Sequence, residues 1–162
     1  MNKIKKELLG SILFILGLMV LISLFSYNPS EEPTISPDIA INNVFGIFGV
    51  YISYYLIKMF LGWGALSFPI IMIITGILVF FQKSLKVFLK HYMYLIFLGV
   101  LISVWITVPE FIDKTTIISY NNSGLLGGLV GRLIHDFIGL SGLILILSLS
   151  TIFLITNYFK IS

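Results

Sequence analysis

The residues able to do chemistry are few, and their spacing excludes more than it allows. His135 stands beside Asp136, a pair that can hold and pass a proton. His91 adjoins Lys83, Lys86 and Lys90 instead. A metal centre needs clustered His, Cys, Asp or Glu. The chain has no cysteine, and its two histidines are expected on opposite sides of a membrane. A phosphate-cradling loop needs G-x-x-x-x-G-K-[ST]. No Gly-Lys pair occurs; beside Gly131-Arg132, the residue five before Gly131 is Leu126. Ion-coupled transporters and intramembrane proteases keep ionisable or Ser–His groups at membrane depth. The four segments able to cross carry no acid, lysine or arginine, and Ser11, Ser23, Ser103, Ser148 and Ser150 are expected to bond within their helices. No catalytic, cofactor-binding or metal-ligating residue is assigned, and His135–Asp136 is read as an interfacial polar face.

The elements that hold these residues follow from composition. Of 162 residues, 58% are hydrophobic and 10% charged, against about 25% charged in soluble domains. The apolar runs are continuous, as in "LLGSILFILGLMVLISLF". A membrane barrel would alternate apolar and polar residues, so the fold class is all-α integral membrane. Lys3, Lys5 and Lys6 before an apolar run suggest a secretory signal, but Leu8–Phe25 exceeds the usual 7–15 apolar residues and no cleavage site adjoins it. It is read as an uncleaved span.

Apolar segments cover about 8–27, 44–81, 91–109 and 125–158. The second and fourth are too long for one straight crossing at 1.5 Å per residue. Lysine and arginine gather on cytoplasmic flanks. Lys3, Lys5 and Lys6 form one basic cluster and Lys83, Lys86 and Lys90 the other, so both should face inward with an even number of crossings between them. The expected spans are therefore about 8–27, 63–81, 91–109 and 139–158. Residues 44–60, with Lys58, Tyr51, Tyr54 and Tyr55, and residues 125–137, with Arg132, His135 and Asp136, are expected as interfacial or re-entrant helices on the outer side. Glu31, Glu32, Asp38, Glu110, Asp113 and Asp136 then gather outside, with Lys58, Lys114 and Arg132. Both termini face the cytoplasm. Pro69, near the start of the second span, is expected to bend it.

The two halves resemble each other. "NNVFGIFG" begins at Asn42 and "NNSGLLGG" at Asn121, an offset of 79 residues, and in each a span, a loop, Asn-Asn, a glycine-rich helix and a second span follow. Both units run the same way, as in a parallel repeat; chance in a Gly-, Leu- and Ile-rich sequence is the competing explanation. Gly124/Gly128 and Gly127/Gly131 have the spacing that lets helix backbones approach closely in lipid. Contacts within one chain are favoured over contacts between chains.

The stretch "LFSYNPSEEP" closes the first span. Tyr27 suits the interface, Asn28 before Pro29 is pushed out of helical geometry, and Glu31 and Glu32 favour water. "SLFSYNPS" also resembles the N-terminal membrane domain of the FtsK/SpoIIIE family of DNA translocases. The resemblance continues through Asn43-x-x-Gly46-x-x-Gly49 with Tyr51 and Ser53, then Gly62, Ala65, Pro69 and Gly76. It ends with Gly127-Gly128-x-x-Gly131 and Gly139-x-x-Gly142. The chain has Tyr54 and Glu31 where relatives often have an acid and Asp.

The resemblance implies a four-span inner-membrane anchor at the division septum, contacting divisome proteins and arranged as a hexamer. A cytoplasmic motor beyond Ser162 would use ATP and magnesium and make the only contact with DNA. The packing residues are expected to be Gly46, Gly49, Gly124, Gly127, Gly128 and Gly131, and the boundary residues Tyr27, Asn28 and Pro29. A small transporter or channel subunit, or a membrane scaffold without a motor, is the alternative.

Overall fold

The computed structural model describes residues 3–33, 40–112 and 120–161. Asp38, Asp113 and Lys114 of the charge census lie outside them. Every regular element among the described residues is helical. The first helix, α1, runs Lys3–Phe25. Its 23 residues at 1.5 Å each reach about 35 Å, enough for the hydrocarbon core. A 3-10 turn follows at Pro29–Glu31. Helix α2, Gly46–Ser53, continues into a π-helical stretch at Tyr54–Leu61, a 3-10 stretch at Gly62–Leu66 and then α3, Ser67–Phe80. A short 3-10 turn, Leu85–Val87, leads to α4, Leu89–Ile112. The last helix, α5, runs Gly124–Ile161.

Among the described residues, four segments are long and apolar enough to cross a membrane: Lys3–Phe25, Gly46–Phe80, Leu89–Ile112 and Gly124–Lys160. The two long ones are broken. Phe60 has φ −117° and ψ −107° within the first. Gly139 has φ 72° and ψ 177° within the second, a conformation open essentially to glycine alone. These breaks fall at the same offset as the two Asn-Asn pairs. Pro69 is the third residue of α3, in a first turn whose amides have no partner four residues back inside the α-helix. The departure from α-helical geometry lies at Phe60 instead.

By its contacts the chain divides into two compact units, residues 1–55 with 66–96 and residues 56–65 with 97–162. In the first, α1 packs on α3. A side chain on Gly76 would lie 2.6 Å from the Phe14 amide, and one on Gly10 2.7 Å from the Gly76 carbonyl. Higher on the same face, Gly17 meets Ile73. Thr75 Oγ1 donates to Tyr92 Oη at 2.9 Å. In the second unit, Leu101, Val104, Val108, Leu143 and Leu147 are buried, and Trp105 Nε1 donates to Thr151 Oγ1 at 3.1 Å. Outward residues such as Ile15, Leu145, Leu149 and Phe153 are apolar and exposed, as lipid requires of a helix whose backbone bonds are satisfied internally.

Candidate functional site

The polar and glycine-lined contacts that set the helix positions form two sites, one in each unit. In the first unit the site begins where α1 stops. The last carbonyls of a helix have no partner within it. Here a residue far along the chain supplies one: Asn43 Nδ2 donates to Ser23 O at 3.1 Å and to Ser26 O at 3.3 Å. Asn43 Oδ1 accepts from Phe45 N at 3.2 Å, and its carbonyl accepts from Gly46 N at 2.8 Å. One buried side chain thus closes the end of α1 and shapes the turn into α2.

Asn28 holds the other side. It is extended, with φ −130° and ψ 120°, and its Oδ1 accepts from Ser30 N at 3.0 Å and Ser30 Oγ at 2.9 Å. Pro29, at the first position of the 3-10 turn, gives up an amide that would have no partner. This turn aims both glutamates inward. Glu31 is 7% exposed and Glu32 4%, which corrects the expectation that they favour water. The reason is local. Glu31 Oε2 accepts from the Asn43 amide at 3.1 Å, and Glu32 Oε1 accepts from the Tyr27 hydroxyl at 2.8 Å. Burial, then the bond to Glu32 and the nearby Glu32 and Tyr54 groups, push the Tyr27 phenol well above its ordinary pKa.

The second unit carries the glycine site. Gly62 and Gly124 both have positive φ, 56° and 72°. Each meets backbone: a side chain on Gly62 would strike Asn122 O, and one on Gly124 would lie 2.7 Å from Ile57 O. Trp63 fixes the contact by donating its amide to Asn122 O at 3.0 Å and its indole Nε1 to Asn122 Oδ1 at 3.4 Å. Along α5, Gly127 lies against Ser103 and Gly131 against Thr107. Two glycines one turn apart on α5 thus meet two hydroxyl residues one turn apart on α4. Ser103 Oγ donates to Ser123 O, and Thr107 Oγ1 to Val104 O at 2.7 Å. Gly128 faces the Tyr120 ring.

The remaining expected glycines behave differently. Gly49 abuts the Asn43 carboxamide in the first site. Gly46 meets nothing within 4 Å and instead has φ 58°, so it serves the turn rather than a close contact. Gly64 against Gly99, Gly10 and Gly76 are close approaches that spacing alone did not single out. Tyr27, Asn28 and Pro29 fall at the end of α1 within the Asn43 site. His135 stacks on Phe111, with ring centroids 4.5 Å apart, and its Nδ1 lies 3.3 Å from Asp136. Arg132 Nε lies 3.7 Å from the same carboxylate, and that pair is exposed. Among the described residues no group of three or more His, Cys, Asp or Glu could hold a metal.

The chain matches the family described as the 4TM region of DNA translocase FtsK/SpoIIIE over residues 2–162. It belongs to that family. The FtsK/SpoIIIE 4TM chain is also similar to the DNA translocase FtsK of Azospirillum brasilense, 32% identical over 84 residues. That alignment covers 50% of this chain and 13% of the relative. No solved structure matches it. This FtsK/SpoIIIE 4TM chain is thus a multi-pass membrane domain, all-helical, with four segments able to span.

Proposed function

We propose that the chain is the membrane anchor of a bacterial DNA translocase. It tethers a cytoplasmic ATPase motor to the inner membrane at the division septum, where the motor segregates chromosomal DNA. The observation that carries this reading is the family match over 2–162 together with four segments able to span. The site supports it: its polar atoms close helix ends and its glycines seat backbone on backbone. ATP, magnesium and DNA belong to the motor. Divisome proteins and further copies of the chain, as a hexamer, are the partners in the bilayer. Both termini face the cytoplasm, and residues 44–60 and 125–137 do not cross.

The test is a fluorescent fusion of the chain in dividing bacteria, beside the same fusion carrying Gly62→Leu. Septal fluorescence for the first and dispersed or degraded fusion for the second is expected. Uniform membrane fluorescence of the intact chain would remove the septal role.

A further inference from the structure

Where α1 crosses α3 the two helices leave an open groove of about 430 Å³, with Phe14, Ile77, Phe80 and Phe81 among its walls. That volume suits a small-molecule site. Its lining offers almost nothing polar. The Ser11 hydroxyl, which borders it, already donates to Glu7 O at 2.9 Å. An occupant must therefore be apolar where it lies in the groove.

The glycines of the crossing are already used, since Gly10 and Gly76 lie against the opposite backbone. Close helix docking in lipid needs small residues at the contact, and the exposed rings of Phe80 and Phe81 stand there instead. A flexible hydrocarbon chain can enter such a slot where a second helix cannot approach closely.

One end of the groove is cationic. Lys6 and Lys3 precede Gly10 at helical spacing on its face of α1. Lys83 follows the walls at Phe80 and Phe81, in a turn fixed by its own amide donating to Leu78 O at 2.8 Å. Glu7, the nearby acid on α1, lies 3.9 Å from Lys3 in an exposed pair. We propose that this groove holds one acyl chain of an anionic phospholipid whose phosphate sits between Lys6 and Lys83. The source is the leaflet that meets this end of α1. Basic residues at the mouth of an interhelical pocket are suited to such headgroups.

Native mass spectrometry of the full chain in mild detergent tests this. The probes are phosphatidylglycerol, phosphatidylcholine with the same tails, and glycerol 3-phosphate without tails. Phosphatidylglycerol should be retained over phosphatidylcholine by about fivefold for each lysine engaged, the equivalent of about 1 kcal/mol. The tail-less phosphate should not be retained. Lys6→Gln with Lys83→Gln should abolish the preference but keep residual binding of both lipids. Ile77→Trp, which fills the groove, should reduce both, and Lys160→Gln should change nothing. Unchanged melting temperatures exclude misfolding. Equal retention of the two lipids by the native chain would overturn the proposal, as would full retention by Ile77→Trp. A dimer that Ile77→Trp dissociates would assign the groove to a second copy and overturn it too.

Discussion

Asn43 serves carbonyls of one helix and the first turn of another, so its loss should be felt at both. Asn43→Ala takes the amide donor from the Ser23 and Ser26 carbonyls and leaves Ser23 O with the Ser26 hydroxyl at 3.3 Å, at about 1 kcal/mol. Asn42, whose amide donates to Ala40 O at 3.4 Å in an exposed position, should tolerate alanine within about 0.5 kcal/mol. Thermal unfolding in detergent would compare them. The positive-φ glycines separate in the same way. Alanine at Gly46, with open space around it, should cost about 1–2 kcal/mol from backbone conformation alone. At Gly62 or Gly124 the same strain adds to a backbone collision, so the loss should be larger. Tyr27 gives a pH test. Its phenol keeps its proton in the fold to higher pH than in the unfolded chain, where it is lost near about pH 10. Stability should be flat below that pH and fall above it, and Tyr27→Phe should remove this part of the fall. A fall of the same size in the phenylalanine variant would assign it elsewhere.

At the scale of elements, the interhelical hydrogen bonds set a modest expectation. Tyr92→Phe removes the partner of Thr75, and Thr151→Val that of the Trp105 indole. Each should cost about 0.6 kcal/mol and at most about 1.7, because a chain unfolded in the membrane finds other partners. The helices themselves were legible in sequence, since a run of apolar residues without charge admits little else in lipid. The break at Phe60 was legible to within two residues, through Gly62-Trp63-Gly64. The one at Gly139 was legible through the change from Arg132, His135 and Asp136 to an uncharged run. What faces what was not. A glutamate two residues beyond Pro29 reads as a solvated flank until Asn43 is known to bring its amide to it. Gly10, Gly64, Gly76 and Gly99 read as ordinary membrane glycines until each is seen against an opposing backbone. Pairings between residues so far apart are set by packing and leave no local period in the chain.

For the whole molecule, the proposed topology puts both lysine clusters on one side of the membrane, with an even number of crossings between them. With cysteine at position 58 and at position 86 in separate variants, a membrane-impermeant thiol reagent on intact cells should label the first and spare the second. Labelling at 86 would reverse the orientation. The 79-residue offset shared by the Asn-Asn pairs and the two helical breaks suits a chain assembled from two copies of one plan. The clasp at the end of α1 also has a consequence for biosynthesis. The Ser23 carbonyl and its Asn43 partner are 20 residues apart. At about 5–20 residues per second, a ribosome emits the first roughly one to four seconds before the second. In that interval the nascent hairpin has an unsealed tip, open to whatever insertase or chaperone can lend it a donor.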